Sequence, residues 1–342
     1  MVKLAISDER KHGLRTGDVV EVRSKEAILA TLDERARRDG LPFMPEMLPF
    51  CGRRFRVQSI AHKTCDTVLA SGFRRMENAV HLAELRCDGS SHGGCQASCL
   101  LFWNEAWLKL VNESDADTDH PTTPDDRTAG AHPYGACTID SLIAATRREK
   151  TDGEEEIFSC QATELREYTT KLRWWDARQY AKDVKSGNVG LGRLIRGVLI
   201  MLFNKLQAAN SRFSPRLTLI HEGRKYPFIA GALTTKTPKR TLDLQPGELV
   251  KIKSREEIVR SLDTNNRNRG LSFDGEMSIY CGRTARVIKR VTKIIDERTG
   301  KMLHLSSDCI MLAGVVCTGN YMQFCPRRVY SYWREIWLDR IE

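Results

Sequence analysis

Residues 14 to 112 of this chain align without a gap onto residues 244 to 342, at a constant offset of 230. Thirty of the 99 aligned positions carry the same residue, among them Gly17/Gly247, Glu46/Glu276, Cys51/Cys281, Cys87/Cys317, Cys95/Cys325, Trp103/Trp333 and Trp107/Trp337. A match of that length with no insertion marks an internal duplication and requires both copies to share one fold. It also supplies a comparison within a single chain. Positions kept in both copies serve a common framework, and positions that differ are free to serve one copy alone.

Two copies of this size in 342 residues leave room for a further unit between them. The expected organisation is a first cysteine-rich repeat over residues 1–112, an acidic linker over 113–133, a mainly helical middle region over 134–240 and a second cysteine-rich repeat over 241–342. Each copy opens with an alternating apolar strand pattern, GDVVEVRS or GELVKIKS. Ile28, Leu29 and Leu32, and their counterparts Ile258, Val259 and Leu262, then recur at helical spacing, and the two predicted helices end on Gly40 and Gly270 as C-terminal caps. Further short strands follow around a Gly turn and near residues 80–85 and 310–316, and the W-x-E-x-W-L segments at 103–108 and 333–338 complete each sheet with core tryptophans. The predicted class is therefore α+β, with two homologous small SH3-like β-barrel repeats flanking a mainly helical middle. Helices are expected there at 141–148, 162–169, 176–185 and 191–209, before an extended connection over 211–240.

The helix at 191–209 carries the apolar run VLIMLF, flanked by Arg193, Arg196 and Lys205. A membrane-spanning helix needs about 20 apolar residues, so this run is too short to cross. A buried central helix is the simple expectation, and peripheral contact of residues 191–206 with an anionic membrane is the sharper one. The net charge of +10 is dispersed among interleaved Asp and Glu, with no five-residue basic block. That pattern describes a solvated basic surface rather than a nucleic-acid interface. The first residues lack the apolar core of a secretory signal, which suggests a cytoplasmic protein. In a reducing compartment, eleven cysteines are better explained by metal ligation and buried free thiols than by disulfides.

The segment CDGSSHGGCQASC brings Cys87, Cys95 and Cys99 close in sequence, and Cys65 lies upstream beside a predicted strand end. Four thiolates on glycine- and serine-rich backbone suit structural zinc or an iron-sulfur cluster. The second copy keeps Cys317 and Cys325, has Ile295 and Val329 in place of Cys65 and Cys99, and gains Cys309. A three-thiolate site of Cys309, Cys317 and Cys325 is expected there, with Cys160 or Cys137 as a candidate fourth ligand from the middle. Cys325 precedes Pro326, a pairing also found after a ferredoxin cluster cysteine. His92, inside the ligand loop, is a candidate replacement ligand or partner of a thiolate, and His81 reads as a strand residue. Cys51 and Cys281 read as packing thiols, and Glu46 and Glu276 as turn anchors. Catalytic Ser-His-Asp and phosphate-loop signatures are absent.

GLPFMPEM, RCDGSSHGGCQASC, SCQATEL and YWREIWL together resemble an uncharacterised group of bacterial proteins with duplicated, SH3-like, cysteine-rich repeats, and the resemblance covers most of the chain. That group carries no established activity to transfer. The cysteine pattern itself predicts a cytoplasmic metalloprotein, with an iron-sulfur cluster preferred to zinc and with redox or metal-assisted catalysis at the incomplete second site. The alternative is a non-catalytic adaptor with structural zinc that binds a protein or nucleic-acid partner. The partner is otherwise an unidentified protein or small molecule.

Overall fold

The computed structural model describes residues 13–69, 71–111, 137–148, 155–213 and 220–341. The expected acidic linker at 113–133 and part of the expected connection after residue 211 lie outside them. The first repeat runs β1 (Val19–Val22), α1 (Lys25–Leu29), β2 (Arg37–Arg38), β3 (Leu41–Pro42), β4 (Arg54–Ile60), β5 (Lys63–Cys65), β6 (Phe73–Arg75), β7 (Ala79–Leu82), β8 (Trp103–Asn104) and β9 (Leu108–Leu110). The middle region adds α2 (Ile139–Ala144), β10 (Thr170–Leu172), α3 (Ala177–Lys185) and α4 (Leu191–Phe213). The second repeat runs β11 (Leu249–Ile252), α5 (Arg255–Val259), β12 (Arg267–Asn268), β13 (Leu271–Ser272), α6 (Gly275–Ser278), β14 (Thr284–Ile295), β15 (Met302–Val316), β16 (Tyr330–Trp333) and β17 (Leu338–Arg340). The chain is thus a mixed α+β protein.

The two repeats share one topology. Five antiparallel strands stand in the order β8-β7-β4-β1-β9 in the first and β16-β15-β14-β11-β17 in the second. The W-x-E-x-W-L segment, expected as one closing strand, is two edge strands joined by a 3-10 turn, Glu105–Trp107 or Glu335–Trp337. It carries the chain from one edge of its sheet to the other. The edge strands are two to four residues long and do not pair with each other, so the described strands form no closed barrel. Trp103, Trp107, Trp333 and Trp337 are all fully buried. Phe43 meets its two tryptophans edge-on at 6.4 and 5.2 Å, and Phe273 meets its own at 6.2 and 5.6 Å.

The duplicated helices α1 and α5 stop after little more than one turn. Asp33 accepts the Arg35 and Arg37 amides, and Asp263 accepts those of Asn265 and Arg267. These local bonds compete with the helical ladder and turn the chain into short hairpins, β2–β3 and β12–β13. Gly40 and Gly270, at φ +78° and +81°, therefore turn hairpins instead of capping helices.

Repeat one also differs from repeat two in a way that integrates the middle region. The long hairpin β14–β15 is broken in the first copy, where β5 and β6 pair with each other and β6 pairs with β10 of the middle region. Cys137, Leu142, Cys160, Ala162 and Leu165 complete the core of the first repeat. Residues 162–169 form turns, not the expected helix, because side chains take backbone carbonyls there: the Tyr168 hydroxyl donates to the Gln161 carbonyl, and the Arg74 guanidinium donates to those of Arg166 and Thr169. Helix α4 is not the buried central helix expected. It lies along the surface, with Gly197 against the Phe324 ring and Leu191, Ile195, Leu199, Leu202 and Leu206 exposed.

Candidate metal centre

Cys87 opens a loop that the backbone closes by a hydrogen bond from the Cys87 amide to the Cys99 carbonyl, at 2.8 Å. Within it the His92 and Gly94 amides both donate to the Gly89 carbonyl, at 3.2 and 2.9 Å. The second copy repeats this design, with Cys317 bonded to Val329 and with Met322 and Phe324 donating to Gly319. Gly89 is required in both respects a glycine can be. Its φ is +79°, and a Cβ there would lie 2.1 Å from the Cys95 carbonyl oxygen.

A buried glutamate anchors each loop from outside. Glu46 Oε1 accepts the Ser91 amide at 3.0 Å, and Glu276 accepts the Tyr321 amide and both the amide and hydroxyl of Thr318. In the first copy His92 adds a second function to this anchor. Its Nδ1 lies 3.0 Å from Glu46 Oε1 and its Nε2 lies 3.3 Å from Cys87 Sγ. Burial pushes the Glu46 carboxyl up, but the neighbouring His92 together with backbone amides, that of Ser91 among them, outweighs burial and leaves it below its usual range. Among the described residues, Glu46, Cys87 and His92 are a group of possible ligands whose donor atoms all lie within 4.8 Å of one another, and this group could hold a metal ion.

Cys87 and His92 face a pocket of about 40 Å³ whose walls also include Cys95, Cys99 and Cys160. One water needs roughly 10–15 Å³ by this measure, so the space accommodates an ion with its donors. All three parts of the chain contribute walls. Cys160 comes from the middle region, held in place by the Gln161 bonds to Phe102, while Ile295 and Glu297 reach in from the second repeat. The Ile295 amide donates to Cys95 Sγ at 3.3 Å. Burial pushes the Cys99 thiol up to about 11 and that of Cys160 to about 12, and raises Cys87 further still. At neutral pH these sulfurs are thiols unless a cation draws the protons off.

The remaining sequence-predicted ligands stand elsewhere. Cys65 lies across the repeat junction, where its amide donates to Cys325 Sγ at 3.3 Å. Cys317 occupies in its own loop the place of Cys87, raised by burial and by the nearby Glu276 carboxylate. Cys309 is in β15, packed with Val291 and Met311 and approached by the Arg334 guanidinium at 3.4 Å. Cys137 belongs to the core of the first repeat. Cys51 and Cys281 sit in matching turns, each raised to about 11 by burial. His81 is a fully buried strand residue whose Nδ1 meets the Leu101 carbonyl at 2.9 Å, and burial lowers it to about 3, so it is neutral. Ile295 and Glu297, walls of the first-copy pocket, carry no signal in the sequence, because no pattern within one copy reveals a contact made by the other. No helix among the described residues is long and apolar enough to cross a membrane. No protein-family model, curated protein or solved structure matches this chain.

Proposed function

We propose that this chain is a metalloprotein whose metal centre lies at the pocket between the repeats, with Cys87 and His92 as its first donors, Glu46 orienting His92, and the pocket-lining Cys95, Cys99 and Cys160 supplying the rest when the metal draws them in. The observation that carries this reading is the Glu46, Cys87 and His92 group, whose donor atoms all lie within 4.8 Å of one another, beside a pocket also lined by Cys95, Cys99 and Cys160. His92 is already oriented by a carboxylate, the arrangement that fixes the ring of a metal-bound histidine. Mixed sulfur and nitrogen donors favour zinc over the iron-sulfur cluster that the sequence pattern suggested. Tetrahedral zinc spaces such ligands roughly 3.5–4 Å apart, so Cys87 Sγ and His92 Nε2 at 3.3 Å need little adjustment. Three further cysteines line the pocket, enough to complete a four-coordinate closed site of the structural kind.

On this reading the metal staples the middle region to the first repeat, at a place the second repeat covers. The strand order also favours an SH3-like half-barrel for each copy, since a four-strand meander returns its fifth strand to β1 or β11 through a 3-10 turn. Such a scaffold, held rigid by its metal, would present surfaces to a protein or small-molecule partner. Metal analysis and an absorption spectrum of anaerobically purified protein test the proposal. One equivalent of zinc without visible charge-transfer absorption is expected, with the metal lost on Cys160→Ser and retained on Cys309→Ser. A visible sulfur-to-iron band would replace zinc by a cluster, and metal-free protein would overturn the reading.

A further inference from the structure

The two repeats meet about a local pseudo-two-fold axis, and each lays the end of a strand across the loop cysteine of the other. The Ile295 amide donates to Cys95 Sγ and the Cys65 amide donates to Cys325 Sγ, both at 3.3 Å. Positions 65 and 295 are equivalents in the duplication, as are 95 and 325. On the axis itself the equivalent residues Thr67 and Glu297 hydrogen-bond to each other. Arg327, 2% exposed, donates to both, at 2.5 Å to Thr67 and 3.1 Å to Glu297.

The junctions differ in one side chain. Against Cys95 stands an isoleucine, whereas against Cys325 stands a second cysteine, and Cys65 packs against the same small cluster of Phe73 and Leu172 that holds Cys325. Since an isoleucine fills the equivalent place, packing alone does not call for sulfur at position 65. We propose that Cys65 and Cys325 form a redox-active dithiol that exchanges with low-molecular-weight disulfides and closes a disulfide between the two repeats.

The roles of the two sulfurs follow from their surroundings. Cys65 as a residue is half-buried, while Cys325 is 4% exposed. Pairing with Cys325, together with the Arg327 charge, holds the Cys65 thiol below its usual range, and the same pairing raises Cys325. Cys65 loses its proton and attacks one sulfur of the small disulfide. The small disulfide's S–S bond breaks, a Cys65 mixed disulfide forms, and the departing thiolate takes up a proton. Cys325 then gives up its proton and attacks the Cys65 sulfur, and the second small thiolate leaves and is protonated. Two protein thiols are oxidised, and one small disulfide is reduced to two thiols.

The test uses the full-length, metal-loaded chain equilibrated with reduced and oxidised glutathione at graded ratios, then acid-quenched, alkylated, digested and analysed by mass spectrometry. A peptide pair linked through Cys65 and Cys325 is expected. The Cys65→Ile variant, which copies the residue of the second repeat, should reduce that pair to background with bound metal unchanged. Cys325→Ser should trap glutathione on Cys65. Cys65→Ser provides the same reading should isoleucine impair folding. The proposal is overturned if no linked pair forms, if glutathione stays on Cys65 in the unaltered chain, or if either Cys65 variant loses metal, which would make Cys65 a ligand.

Discussion

Glu46 and Glu276 occupy one position of the duplication and hold the same loop amide, Ser91 in one copy and Tyr321 in the other. Only Glu46 also faces a histidine, since Met322 stands where His92 would be. Removing either carboxylate strands buried donors, at a cost of about 1–3 kcal/mol per unsatisfied group. Glu46→Ala and Glu276→Ala should therefore both lower the urea midpoint, and only Glu46→Ala should weaken metal binding, by about 10–100-fold through loss of the group that orients His92. Competition with a chromophoric chelator measures this directly, and equal metal affinity in the two variants would remove His92 from the centre. Retention in both copies marked these glutamates as anchors in the sequence. The link from Glu46 through His92 to Cys87 was not legible there, because it joins a loop to a segment far along the chain and has no counterpart in the second copy.

Elements were legible where the apolar period was strong and lost where side chains intervened. The strands of both repeats and the helices α3 and α4 follow their patterns, whereas α1 and α5 yield to Asp33 and Asp263, whose side chains bind nearby backbone, and residues 162–169 yield to Arg74 and Tyr168, which take backbone carbonyls there. Helix α4 shows a further limit: periodicity finds a helix but not its outward face. Leu191, Ile195, Leu199, Leu202 and Leu206 recur at three- and four-residue steps and lie exposed, with Leu191 and Leu206 at 63% and Leu199 at 61%. Exposed Arg196 and Lys205 flank this line. An aliphatic stripe with basic neighbours is the form of a helix that rests in an anionic lipid interface. The chain should sediment with phosphatidylserine-containing vesicles and less with neutral ones, and Leu199→Glu should abolish sedimentation while leaving the metal centre intact. Equal sedimentation of Leu199→Glu and the unaltered chain would exclude α4 as the contact.

At the scale of the molecule, the duplication announced two equal folds but not that they face each other about an axis, nor that the middle region is built into their junction. Helix α3 does the latter through a buried charge. Lys63 and Asp183 are fully buried, with Nζ 2.5 Å from Oδ2, and the other Asp183 oxygen lies 3.2 Å from His62 Nε2. The Lys63 ammonium also lies 5.1 Å from the centre of the Tyr180 ring and 5.7 Å from that of Phe324. One lysine of the first repeat thus touches α3 and the loop of the second repeat together. Lysine is retained at this position in both copies, yet Lys293 reaches the Gly93 carbonyl instead, so the aspartate partner belongs to the first copy alone. Removing one member of a buried pair leaves the other charge without compensation and costs about 3–5 kcal/mol, whereas replacing both by apolar side chains is often close to neutral. Asp183→Ala should accordingly lower the urea midpoint strongly, and Lys63→Met combined with Asp183→Leu should restore most of it. A double variant as unstable as the sum of its single variants would show that the pair is not coupled and that α3 is held by its apolar contacts instead.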